Sequence, residues 1–196
     1  ISVSFEIDND DTGGGNVYDS HSMTLDTNGM GTITFAGHGG SSAMSAIDDT
    51  SPNAYEESWD VVTGAGAPPG GSGGNNMFTY KSPTVGGATV TVAYLNASDA
   101  ITDKSYMDYA IAWSPEMVEG LTVGYATGEY DYDASTLGLD HSTIFATYAY
   151  GSFTVGYQDS EIDGPTAAAS DESTSWAVSY AVSDDFSVSY GQHEYE

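Results

Sequence analysis

The sequence predicts an all-β protein, an antiparallel meander of about eleven strands, and three observations carry that prediction. Helix formers are scarce while Gly, Ser, Thr, Tyr and Val dominate, a composition that favours strands and turns. Apolar and polar residues alternate with period two in one segment after another, as in a sheet whose two faces meet different surroundings. The connections between these segments alternate in length, so that short and long ones fall on opposite sides of the meander.

Taken in order, the segments are 1–8, 18–26, 30–38, 76–83, 88–96, 105–115, 121–131, 142–150, 153–160, 174–182 and 186–195. Thr89-Val90-Thr91-Val92-Ala93-Tyr94 shows the grammar that the others share. In Leu121-Thr122-Val123-Gly124-Tyr125-Ala126 one face is Leu121, Val123 and Tyr125, and the other is Thr122, Gly124 and Ala126. Phe153-Thr154-Val155-Gly156-Tyr157, Ser175-Trp176-Ala177-Val178-Ser179-Tyr180 and Phe186-Ser187-Val188-Ser189-Tyr190 repeat it, each apolar row ending in an aromatic. Short connections fall at Thr27–Gly29, Thr84–Gly87, Glu116–Gly120, Gly151–Ser152 and Ser183–Asp185. Long polar ones fall at Asn9–Val17, Gly39–Asn75, Asn96–Lys104, Tyr132–His141 and Glu161–Ser173.

A soluble β-sandwich also alternates apolar and polar residues along its strands. Two features favour a barrel that crosses a membrane with strands. The polar rows are rich in Thr, Ser, Gly and Ala, as a crowded lumen needs, and tight turns on one side with long loops on the other are the anatomy of outer-membrane barrels. No stretch approaches the ~20 consecutive apolar residues of a transmembrane helix. With no cysteine, disulfide and thiol chemistry are excluded. Lys81 and Lys104 face 29 acidic residues and there is no arginine, a balance that excludes nucleic acid as a partner and makes cations the natural one.

Asn75-Asn76-Met77-Phe78-Thr79-Tyr80-Lys81-Ser82-Pro83-Thr84-Val85-Gly86-Gly87, followed by a Thr/Val/Tyr strand, resembles the strand after the pore-constricting loop of general bacterial porins. Upstream, Asn28-Gly29-Met30-Gly31-Thr32-Ile33-Thr34-Phe35-Ala36-Gly37 is similar to the turn and strand that lead into that loop, and Gly39–Asn75 lies between them. The resemblance implies a barrel of about sixteen strands, a homotrimer in outer-membrane lipid of a Gram-negative bacterium, and passive diffusion of small hydrophilic solutes and ions. It makes Ile1–Asp8 the third strand of the family, with about two strands ahead of it and about three behind the last one here. Porins typically end in an aromatic residue whereas this chain ends at Glu196, so an incomplete barrel is the expectation, a single domain over 1–196 with 39–75 folded into the lumen.

On that resemblance, Asp48, Asp49, Glu56, Glu57 and Asp60 of the long connection set the field an ion meets at the constriction. The plain alternative is a solvated acidic loop on the outer surface. The basic residues that porins oppose to such acids reduce here to Lys81 and His38. Lys81 falls by alternation on the face opposite Phe78 and Tyr80, and His38 shares a face with Thr32, Thr34 and Ala36. With so few basic residues opposed to five acids, cation preference follows. Asp108 alternates with Met107, Tyr109, Ile111 and Trp113 and joins Thr79, Thr32 and Thr34 on the lumen wall, since a carboxylate facing lipid costs on the order of a few kcal/mol. Tyr130, Tyr132, Tyr148, Tyr150, Tyr180, Tyr195, Trp113 and Trp176 are candidates for interfacial girdles.

The outer loops carry further acids, among them Asp131, Asp133 and Asp140 as calcium-ligand candidates that lack the EF-hand spacing. No cofactor is expected beyond loosely bound Ca2+ or Mg2+. The four histidines, His21, His38, His141 and His193, are scattered, zinc-ligand spacing does not occur, and the G-x-S-x-G string at Gly70–Gly74 lies in the Gly/Pro-rich return of the long connection rather than on the strand-to-helix turn of a nucleophile elbow, so no enzyme is expected. The alternative to a diffusion pore is a barrel that anchors a surface adhesin or receptor whose acidic loops do the binding.

Overall fold

The computed structural model describes residues 1–7, 18–53, 71, 73–96, 105–131, 139–166 and 170–196, with side chains at all of these except 6, 7, 18–20 and 131. Its strands are β1 (Ser2–Ile7), β2 (Tyr18–Asp26), β3 (Thr32–His38), β4 (Gly40–Ser41), β5 (Gly73–Gly74), β6 (Met77–Lys81), β7 (Ala88–Leu95), β8 (Ser105–Trp113), β9 (Leu121–Asp131), β10 (Leu139–Tyr150), β11 (Phe153–Asp163), β12 (Asp171–Ser183) and β13 (Phe186–Tyr195). All but β4 and β5 form one 11-stranded antiparallel sheet in sequence order, with β3 passing directly to β6 and with β1 and β13 as its open edges. The two-residue strands β4 and β5 pair only with each other.

Turn chemistry explains the tight side. Between β2 and β3, Asn28 (φ 57) and Gly29 (φ 100) adopt the left-handed conformation that Asn and Gly tolerate, and the Thr27 hydroxyl donates to the Gly31 carbonyl at 2.6 Å. Between β10 and β11 the turn is Gly151 and Ser152 alone, with Gly151 at φ 59.

All eleven expected segments are strands, and the differences lie at their ends. β10 begins at Leu139 rather than 142, β11 runs to Asp163 rather than 160, and β12 begins at Asp171 rather than 174. The two connections beside them are correspondingly shorter than expected. The reason is that the outward row turns from apolar to acidic while the backbone ladder continues: Asp140 stands opposite Glu129 and Asp163, and Glu161 opposite Glu172. At the tight-turn side β3 starts two residues late, and β6 and β8 stop at Lys81 and Trp113.

The two faces of the sheet reverse the usual arrangement of a water-soluble protein. The outer face exposes Tyr109, Ile111, Trp113, Tyr125, Ile144, Tyr157 and Trp176, between 41% and 53% accessible. The inner face buries Asp108, His141, Thr143, Gln158, Ser160, Ser173 and Ser175. Lys81 shares the inner row with Thr32, Thr91 and Ala110, as alternation requires. Tyr148, Tyr150, Tyr180, Trp113 and Trp176 are on the outer face. Tyr130 is not: its ring turns inward onto Tyr106 at 4.7 Å and His141 at 5.6 Å. Tyr195 lies opposite Ser173 on the inner row, and Tyr132 lies outside the described residues. A strand's end says only that an aromatic is near an interface, and register decides which face it joins.

Candidate functional site

The residues after β4 do not leave the sheet for solvent. Ser42, Ala43, Met44, Ile47 and Ser51 are all buried, and their contacts run across the inner wall from β8 to β12. Adjacent strands are about 4.8 Å apart, so the segment crosses roughly 19 Å of wall. Its apolar side chains supply part of the small inner core, in which Ala43, Met44 and Ile47 pack with Met77, Ala93, Tyr106, Ala110, Ala126 and Phe145. Burying a Met or an Ile side chain is worth about 1.5–3 kcal/mol, enough to favour docking of a short segment without fixing its register.

Polar groups fix the register. The Asp108 carboxylate, wholly buried on β8, accepts from the Ala43 amide at 3.1 Å, from the Met44 amide at 2.8 Å and from the Tyr106 hydroxyl at 3.2 Å. Those amides begin the short 3-10 turn Met44–Ala46 and would otherwise lack partners. Gly128, beside Asp108 in the ladder, makes this possible: a Cβ there would stand 2.6 Å from the Tyr106 hydroxyl oxygen. On β11, the Gln158 carboxamide accepts from the Thr50 amide at 3.0 Å and the Thr50 hydroxyl at 2.9 Å. Its nitrogen donates to the carbonyls of Ile47 at 3.2 Å and Asp48 at 2.6 Å. The hydroxyls of Ser51 and Ser175 are 2.8 Å apart, which ties the segment to β12. Gly156 leaves room for the Pro52 ring, against which any Cβ at that position would collide.

The expected site residues are thus distributed as follows. Asp48 is half-buried in the docked segment, and Asp49 beside it is exposed. Burial holds the Asp48 carboxyl above the usual carboxylate range, its own backbone amide offsetting part of that shift. Glu56, Glu57 and Asp60 lie outside the described residues. Asp108 is on the inner wall, as alternation indicates, but it is covered by the segment rather than open to a lumen. Thr79 donates to the Ser41 carbonyl at 3.4 Å, and the hydroxyls of Thr24 and Thr34 are 3.1 Å apart. Thr32 and the exposed Lys81 pair at the tight-turn end, whereas half-buried His38 pairs with His21 at the opposite end of β3. Six residues of strand, about 20 Å, separate Lys81 from His38, so the two do not form one basic cluster.

Asp140 is exposed on the outward row next to Asp163, Asp131 ends β9 opposite Ser105, and Asp133 lies outside the described residues. Among the described residues, no group of three or more His, Asp or Glu is placed to hold a metal ion. Gln158 and Gly156 were not singled out in the sequence. The signal for Gln158 was available: a long carboxamide on a row otherwise made of Thr154, Gly156 and Ser160.

A sheet greasy outside and polar inside, with a chain segment laid along its inner wall, belongs to a small class of proteins. The sequence signature of the Gram-negative porins matches residues 1–196. The chain belongs to the Gram-negative porin family. Its place is therefore the outer membrane of a Gram-negative bacterium, in a family of non-enzymatic channels. Among solved structures, this porin is similar to an anion-selective porin from Comamonas acidovorans, with a TM-score of 0.63 and 17% identity over 97% of this chain and 61% of the other. A second porin, refined at 1.8 Å, gives a TM-score of 0.63 and 18% identity over 88% of this chain and 64% of its own. At such identities the likeness is one of fold. The chain spans about three-fifths of the length of these two porins, and no curated protein matches it.

Proposed function

We propose that this porin is a cation-preferring diffusion pore for small hydrophilic solutes, working as a homotrimer in outer-membrane lipid, and that the 39–75 connection narrows its lumen. The observation that carries the reading is the acidic segment docked against the polar wall, with Asp48 and Asp49 at its middle. The lumen side of an aqueous pore carries polar side chains, and the inner rows carry Thr143, Ser160, Ser173 and Ser175, buried here beneath and beside the docked segment. Acids at a constriction attract cations and repel anions. The net charge of −27, with two basic residues in all, offers no compensating positive wall. Anion selectivity is a property of the Comamonas acidovorans porin and, at 17% identity, says nothing of the charges here.

The test is single-channel recording of the intact protein in a planar bilayer under a salt gradient. Large ohmic steps that reverse on the cation side are expected. Replacing Asp48, Asp49, Glu56, Glu57 and Asp60 together by Asn or Gln lowers the cation-to-anion permeability ratio by several-fold. An unchanged ratio would place the connection outside the constriction. A wild-type protein that inserts but passes no current would make the barrel an anchor for its loops.

A further inference from the structure

We propose that Gln158 is the positioning residue of the pore: by gripping the backbone of residues 47–50 from β11 it fixes where the Asp48 carboxylate stands and how wide the opening beside it is. The aperture part of this rests on the pore reading above; the grip itself does not. Gln158 is 1% exposed, so its carboxamide makes its bonds away from competing water. It does two opposite things at once. The oxygen accepts from the Thr50 amide and hydroxyl, and the nitrogen donates to the Ile47 and Asp48 carbonyls. Its nitrogen also lies 3.2 Å from the Thr143 hydroxyl on β10, which holds the side chain upright on the wall.

Among side chains of this length only a carboxamide presents a donor and an acceptor to the same turn of chain. A glutamate would set an anion against the two carbonyls, and a leucine would leave the bonded groups, buried or half-buried, without this partner. Asp108 secures the other end of the segment at residues 43 and 44. Asp48 lies between the Asp108 and Ser175 anchor points, and it is the Gln158 contact that falls on its own carbonyl. The role is one of position, since the Gln158 side chain is covered by the segment it holds.

Because the protein has no cysteine, a single Ala46→Cys variant carries one spin label on an exposed residue of the segment. The label reports mobility in vesicles whether or not current flows. In the intact protein, Gln158→Ala and the same-length Gln158→Glu are expected to mobilise the label, and to raise open-channel noise several-fold while shifting conductance. Ser51→Cys with Ser175→Cys, whose present hydroxyls are 2.8 Å apart, supplies a disulfide across the same gap. In the Gln158→Ala background, without the spin label, oxidation should return the channel to the wild-type trace and reduction should undo it. A label equally immobile in all three proteins overturns the grip. A mobilised label with wild-type noise, conductance and selectivity overturns the control of aperture. A mobilised label in a protein that never conducts supports the grip and removes the pore reading.

Discussion

Asp48 and Asp108 are both carboxylates on the inner side of the sheet, and their surroundings give them different work. Asp108 is wholly enclosed and spends its oxygens on the amides of Ala43 and Met44 and on the Tyr106 hydroxyl. Asp108→Ala leaves buried amides without acceptors, a change worth about 2 kcal/mol, so the variant should unfold at lower urea concentration in lipid vesicles. Asp48 is half-buried and burial disfavours its charged form. A carboxyl raised in this way adds stability below its ordinary unfolded value, and that contribution is lost as pH rises through the elevated folded value. For ion flow the same shift means that Asp48 loses its charge at a higher pH than an ordinary carboxylate on acidification. Cation preference should therefore start to fall above the usual carboxylate range. Reversal potentials measured across a pH series check this, and Asp48→Asn should remove that first part of the decline while leaving the rest.

At the scale of elements, the docked segment depends on absences in the wall as much as on contacts. Gly156 on β11 faces the Pro52 ring, so Gly156→Leu should push the 50–53 end off the wall and change single-channel conductance, with far-ultraviolet circular dichroism unaltered. The strands themselves were legible in the sequence, because period-two alternation depends only on the two faces having different surroundings. It failed where the outward row turns acidic: at 139–141, 161–163 and 171–173 Asp140, Glu161, Asp163 and Glu172 stand where apolar residues stood, Leu139 and Ile162 fall on the inward row, and the strands continue on backbone pairing. The inward direction of Asp108 was legible for the same reason, from Tyr109, Ile111 and Trp113 alternating with it. That Asp108 holds residues 43 and 44 was not, since the partner lies 65 residues away in the chain and no local pattern encodes such a pairing. Tyr130 and Tyr195 were misassigned because nearness to a strand end carries no information about face.

For the molecule as a whole, the placement of apolar surface on the outside makes the bilayer part of the folding reaction. A cation forced onto that surface is costly, about 2–4 kcal/mol near the midplane for Arg or Lys. Ile111→Arg on the outer face of β8 should lower folding stability by that order in vesicles. Thr91→Arg, on the inner row beside Lys81 and Ala110, should leave stability within about 0.5 kcal/mol and reduce cation preference, by restoring a positive charge to the wall. Unfolding in urea and reversal potentials on the same two proteins separate the faces. The hold that Asp108 and Gln158 take on the inner segment falls almost entirely on main-chain atoms: the amides of Ala43, Met44 and Thr50 and the carbonyls of Ile47 and Asp48. Main-chain atoms are the same whatever side chains they carry. The barrel is in this sense a socket indifferent to the charges on its insert, and those worn by residues 48 and 49 can be rewritten, by mutation or by design, without remaking the frame that displays them.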